Sequence, residues 1–193
     1  MDGLTQMKKI PTLFARNMET DRLVRDEVTP GCEWVLKGFG IPTRKWDGTC
    51  CLIQGGNIFK RRELKKGEAA PEGFIPAQDE ADPVTGDMPG WVEVGHGPED
   101  QWHREAFERL FKSSTVPIQE GTYELIGPKI NGNPDKHADH GLVRHGMDHL
   151  PLSTPRTFTG LKAYLKDHPG IEGIVWHHGD KMAKIKRRDF FKK

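Results

Sequence analysis

The chain has no apolar run approaching the roughly 20 residues that a membrane-spanning helix needs, so no partnership with a membrane is expected. Its start, MDGLTQMKKIPTLFARN, lacks the apolar stretch and small-residue cleavage site of a secretory signal, which points to a protein that stays in the cytoplasm. Cysteine is scarce. Cys32, Cys50 and Cys51 give an odd count with two of them adjacent, a poor basis for a disulfide framework and a good match to a reducing compartment. Internal repeats are absent, and 193 residues suffice for one substantial core, so a single domain over residues 1–193 is expected, acting as a monomer.

What is present suits a water-exposed globular protein: 30% of residues are charged and 35% hydrophobic. The net charge of +1 conceals an uneven distribution, because the ending KMAKIKRRDFFKK concentrates lysine and arginine with little acid to offset them. A basic end of this kind is commonly a solvated face, and it also suits a polyanionic partner.

Gly and Pro, 22 and 14 of them, are spread over the whole length and predict short elements joined by frequent turns. Cys32–Lys37 alternates as a strand does. Thr49–Gln54 and Asn57–Leu64 flank Gly55-Gly56, a two-residue hairpin signal. Glu68 to Gly90 has no periodicity and reads as a long excursion loop, followed by a strand at Trp91–Val94. Pro98–Lys112 places Trp102, Ala106, Leu110 and Phe111 at helical spacing behind Glu99 and Asp100. A strand entering a turn is expected over Glu120–Ile130, a helix over Thr157–Asp167, and a closing hairpin of Gly173–His178 and Met182–Arg187. Such a mixture is an α+β pattern.

Lys45-Trp46-Asp47-Gly48 puts an amine and a carboxylate two residues apart, just before a strand whose alternation can aim both to one side. Alone, so short a string describes a surface turn with a solvated Lys–Asp pair. Further along come, in order, Lys60-Arg61-Arg62, Tyr123-Glu124-Leu125-Ile126-Gly127, Glu172-Gly173-Ile174-Val175 and Lys184-Ile185-Lys186. A lysine attacks the α-phosphorus of a nucleoside triphosphate only as the neutral amine, which calls for neighbouring cations, a metal or burial. The basic cluster and Lys184/Lys186 can provide that field, while Asp47, Glu124 and Glu172 can answer for a divalent ion on the triphosphate.

This ordered set resembles the motif series of the covalent nucleotidyltransferase superfamily, which includes RNA ligases, ATP-dependent DNA ligases and mRNA capping enzymes. The match runs from about Lys45 to Lys186. The resemblance implies an α+β ligase-adenylation (ATP-grasp-like) fold of antiparallel sheets and flanking helices; only Asp189 to Lys193 follow the last motif, so no OB-fold appendage is expected. It further implies that Lys45 forms the lysyl–nucleotide bond and that Asp47 helps organise metal and ribose. Glu124 is then expected on ribose hydroxyls or a metal-bound water, and Glu172 as a second metal-linked carboxylate. Arg61 or Arg62 would contact ribose or an incoming 5′-phosphate, and Lys184 and Lys186 would hold the α-phosphate, Lys186 more directly. The implied cofactors are ATP, as substrate, and Mg²⁺ or Mn²⁺.

Gly127-Pro128-Lys129-Ile130-Asn131-Gly132-Asn133 is similar to a stretch that follows this glutamate in several RNA ligases, with Asn131 and Asn133 either on RNA or shaping the turn. The strings KWDGTCC and IEGIVWHH…MAKIKRRDF further resemble a small RNA-ligase family of animals and microbes, which implies joining of RNA 5′-phosphate and 3′-hydroxyl ends. Arg44 stands where many RNA ligases have Glu before the lysine. Two rivals remain: a DNA ligase or GTP-using guanylyltransferase, and a nucleic-acid-binding module with a decayed site. His137, His140, His145 and His149, with Asp135, Asp139 and Asp148, form no HExxH-type pair and read as a polar loop without an assigned role. Trp46 and Trp176 are expected in the core.

Overall fold

The computed structural model describes residues 9–83 and 85–191. The first eight residues of the start, which lacks a secretory signal pattern, and Lys192-Lys193 of the basic ending lie outside them. In chain order the elements begin with β1 (Phe14–Arg16), β2 (Val24–Val28), α1 (Glu33–Leu36), β3 (Ile41–Lys45), β4 (Thr49–Gln54) and β5 (Asn57–Leu64). Then follow β6 (Ile75–Pro76), β7 (Met88–Glu93), a 3₁₀ turn at Pro98–Asp100, α2 (Gln101–Ser113), β8 (Gly121–Ile126) and β9 (Gly141–Arg144). The last are α3 (Phe158–Asp167), β10 (Gly173–His178), β11 (Lys181–Lys186) and α4 (Arg187–Phe190). All named strand pairs are antiparallel, so the protein is α+β with antiparallel sheets and few helices. Among the described residues no helix is long and apolar enough to cross a membrane.

The chain divides into two compact units. One comprises Asp47–His145; the other combines Lys9–Trp46 with the described residues from Gly146 onward. In the first unit six strands pair in the order β6-β7-β5-β4-β8-β9. The Gly55-Gly56 turn joins β4 to β5 as expected, with φ of 58° and 77° at its two glycines, values that few other residues adopt without strain. Strand alternation then feeds two apolar clusters, one per face. Cys51, Ile58 and Leu125 bury with Ala106 of α2 and half-buried Trp102 and Phe107, whereas Leu52, Trp91 and Ala77 collect on the opposite face with Cys50, Phe59 and Ile75. Phe111, grouped with the apolar face of α2 by its spacing, is instead 71% exposed.

In the second unit three strands pair in the order β11-β10-β3, and β1 pairs with β2. Leu13, Phe14, Val35, Leu161, Leu165, Ile174, Trp176, Ala183 and Ile185 are all fully buried in one cluster. Thr157 caps α3, its hydroxyl accepting the Gly160 N–H, and Arg16 pairs with buried Asp189 at 2.5 Å.

Two expectations need correction, and one strand was not foreseen. Cys32–Lys37 is not a strand: Cys32 and Val35, three apart, are the buried pair, and Gly38 at φ +89° closes the single turn of α1. The stretch Glu68–Gly90 is not wholly loop, because Ile75–Pro76 pairs with Trp91 and Gly90 at the sheet edge, where a proline costs no ladder bond. Strand β3, hidden by Pro42, is likewise an edge strand. Leu161→Ala should lower the unfolding free energy by about 2–5 kcal/mol, whereas Leu152→Ala, at a 73% exposed position, should change it by less than about 0.5 kcal/mol; urea denaturation of the two variants checks both.

Candidate active site

The Lys45–Gly48 motif lies just before β4, as expected; Lys45 itself closes β3, and the chain passes into the other unit between Trp46 and Asp47. On the three-stranded sheet Gly173 lies opposite Lys45 on one side and opposite Lys186 on the other. No side chain larger than hydrogen fits there: a Cβ on Gly173 would come within 2.2 Å of the Ile185 carbonyl oxygen and 2.9 Å of Lys186 Cα. Glu172, one residue earlier, therefore reaches both lysines. Lys45 Nζ donates to Glu172 Oε2 at 2.6 Å and to the Trp46 carbonyl at 3.3 Å, while Lys186 Nζ stands 3.6 Å from Glu172 Oε1. The Glu172 carbonyl is itself fixed by the Arg187 N–H at 2.7 Å.

Lys184 and Lys186, two apart on β11, share a face. Burial, then Lys186 and Lys45, brings Lys184 down from 10.5 to about 8. Burial also lowers Lys186, against the opposing pull of Glu172. Two lysines thus share the Glu172 carboxylate with Lys184 close enough to feel both, an arrangement with surplus positive charge that suits a phosphate.

In the first unit, β4 and β8 place Cys50 directly opposite Glu124. Glu124 is buried; Oε1 accepts the Gly48 N–H at 3.1 Å and Oε2 lies 2.8 Å from His145 Nε2. Gly48 again admits no side chain, since a Cβ would sit 2.2 Å from the Leu125 carbonyl oxygen and 2.7 Å from Glu124 Cγ. Asp47 Oδ1 accepts from Asn131 Nδ2 at 3.1 Å, and the same amide donates to the Gly48 carbonyl at 2.7 Å. Asn131 holds φ +47°, a conformation asparagine tolerates. Asn133 serves the turn, its side chain bonding both backbone groups of His137.

Register separates the two arginines. Lys60 is opposite Cys51, so Arg61 falls on the face of Cys50 and Glu124, and Arg62 on the other. Arg61 lies over the Trp91 ring at 4.9 Å, and burial lowers its pKa. Arg62 is 51% exposed and pairs with Glu68. Trp176 is core as expected, but Trp46 is only partly buried, with the Arg44 guanidinium 3.8 Å from its ring.

As oxygen donors for a divalent ion, Asp47 and Glu124 are held by neutral or histidine partners, while both oxygens of Glu172 face lysines. Hard oxygen ligands of this kind suit Mg²⁺ or Mn²⁺. Sequence reasoning left His145 without a role among the histidines. The others disperse: His140 stacks on Trp102 and meets Glu105 at 3.0 Å, and His149 bonds the Gly146 carbonyl at 3.0 Å. The pairing of β9 with β8 is what carries His145 to Glu124, and short, irregular β9 has no clear alternation to announce it.

A family model described as RNA ligase 1 matches residues 103–191. Curated proteins named RNA ligase 1 are also similar. The one from Danio rerio is 31% identical over an alignment covering 95% of this chain and 77% of its own length. That from Pongo abelii is 30% identical, covering 72% of this chain and 63% of itself, and that from Mus musculus 33% identical, covering 57% and 44%. The chain thus spans less than two thirds of the Pongo abelii and Mus musculus proteins.

The folded protein sheds the Lys184 proton near pH 8 and the unfolded chain near 10.5, so the unfolded state binds more protons in between and stability rises with pH across that window. Below it, folding bears the cost of a buried charge, on the order of 3 kcal/mol. Lys184→Met should therefore be more stable than wild type at neutral pH and should show a smaller rise between pH 8 and 10.5, the remainder belonging to Lys186, as read from denaturant unfolding at a series of pH values.

Proposed function

The chain belongs to the RNA ligase 1 family, and from that premise we propose that it is an ATP-dependent RNA ligase working through a covalent lysyl–AMP intermediate. Residues 1–193 act as one nucleotidyltransferase (adenylation) domain, a monomer in the cytoplasm whose substrates are RNA 5′-phosphate and 3′-hydroxyl ends. The observation that carries the reading is the Lys45 amine 2.6 Å from Glu172, among Lys184 and Lys186.

In the first step the amine leaves its ion pair with Glu172, loses its proton and attacks the α-phosphorus of ATP; a P–N bond forms and pyrophosphate departs. Lys184 and Lys186 hold the α-phosphate oxygens, where charge accumulates in the transition state. In the second, an RNA 5′-phosphate oxygen attacks the lysyl–AMP phosphorus, giving a 5′-to-5′ pyrophosphate linkage and restoring the amine. In the third, an RNA 3′-hydroxyl attacks the activated 5′-phosphorus, loses its proton and expels AMP, leaving a phosphodiester. Asp47 and Glu124 in one unit and Glu172 in the other would offer oxygen donors to Mg²⁺ or Mn²⁺, directly or through water, and such an ion would neutralise the triphosphate. Glu124 also takes ribose hydroxyls. Of the two arginines Arg61 is assigned to ribose or the 5′-phosphate, because it shares a face with Glu124 and Arg62 does not. RNA binds through phosphate contacts.

Incubation with labelled ATP should give an acid-labile protein adduct that Lys45→Ala abolishes and Glu172→Ala weakens, with exposed Lys112→Ala unchanged. Persistent labelling of Lys45→Ala would refute the nucleophile, labelling by GTP alone would indicate a guanylyltransferase, and sealing of nicked DNA in preference to RNA ends would indicate a DNA ligase. A chain that no nucleotide labels would be a binding module.

A further inference from the structure

We propose that Cys50, Glu124 and His145 form a binding site for a thiophilic divalent metal of the zinc class. One sulfur, one carboxylate oxygen and one imidazole nitrogen from these residues lie within 4.8 Å of one another. Strand pairing rather than chance surface proximity brings them together: Cys50 and Glu124 are cross-strand partners, and the His145 N–H is anchored on the Thr122 carbonyl at 3.1 Å. Ligands about 2.1–2.3 Å from a tetrahedral centre stand about 3.4–3.7 Å apart. From the present 2.8 Å, His145 Nε2 and Glu124 Oε2 would open by roughly half an ångström as a metal replaced the proton between them, with the thiol already within 4.8 Å of both.

The donor set chooses the metal. Thiolate and imidazole favour zinc-like ions over magnesium, and three protein ligands leave a fourth position open. Cys51 adds no second sulfur, because it lies on the opposite face, buried with Ile58, Ala106 and Leu125. Binding forms sulfur–metal and nitrogen–metal bonds, breaks the Cys50 S–H bond and releases that proton to solvent, while the proton between His145 Nε2 and Glu124 moves to His145 Nδ1, so that the imidazole coordinates in its neutral form. A metal on Glu124 withdraws this carboxylate from the nucleotide, so zinc should block adenylylation; this consequence alone rests on the ligase reading above.

The test uses the full chain, stripped with a chelator and titrated with Co²⁺. One equivalent should produce a thiolate-to-cobalt charge-transfer band with the d–d intensity of four-coordinate cobalt, and Zn²⁺ should displace it. Cys50→Ser should lose the band and His145→Gln should weaken binding by about tenfold or more, while Cys51→Ser leaves both unchanged. The absence of one-equivalent binding, or a band that survives Cys50→Ser, would overturn the site. Stoichiometric Zn²⁺ should lower ATP labelling of wild type and not of Cys50→Ser; zinc bound at Cys50 that leaves labelling intact would overturn the inhibitory role. If wild type takes no label even without zinc, the ligase reading fails, and the cobalt band still decides the metal site.

Discussion

The pairing of Lys45 with Glu172 is the constraint on which the arrangement of the second unit depends. A partly buried cluster of three lysines would repel itself and bear the desolvation of each charge. One carboxylate between Lys45 and Lys186 relieves both costs, but only because the strand that delivers it has a glycine where a side chain would strike the next strand. Lys184, lowered by burial first and then by Lys186 and Lys45, has no such carboxylate contact of its own among the described residues. Such a cluster is poorly optimised for stability and well prepared for an anionic substrate.

The first unit repeats the device. Gly48 lies against β8 as Gly173 lies against β11, each meeting a neighbouring carbonyl oxygen at 2.2 Å if a Cβ is added, and each beside a carboxylate of the proposed site. Close strand approach, not turn flexibility, is the reason for glycine at both positions, since neither has a positive φ. Glu124 is then held from two directions, by the Gly48 amide and by His145, so its carboxylate has a defined orientation without any ligand.

Much of this was legible in the chain itself. The Gly55-Gly56 hairpin, α2 and α3 follow from turn chemistry and helical spacing, and the closing hairpin from its Gly179-Asp180 turn. Edge strands were the blind spot: β3 and β6 contain Pro42 and Pro76, which a local reading takes as strand breakers although an edge tolerates them. Alternation along β5 makes Arg61 and Arg62 point oppositely, yet only the register with Cys51 assigns Arg61 to the face of Glu124. His145 was beyond reach for the same reason, because its partner is set by cross-strand pairing and not by anything within a few residues of it.

Lys45 and Glu172 are separated by 127 positions, and the unit they share is assembled from two stretches of chain with the other unit inserted between them. During synthesis the amine emerges long before its carboxylate, and β3 has no β10 to pair with until more than a hundred further residues have been added. The inserted unit, continuous in sequence, can condense while translation proceeds; the discontinuous one must wait for its last strands. The nucleophile is therefore completed late, and a nascent or prematurely stopped chain displays the lysine motif without the neighbours that would give it chemistry.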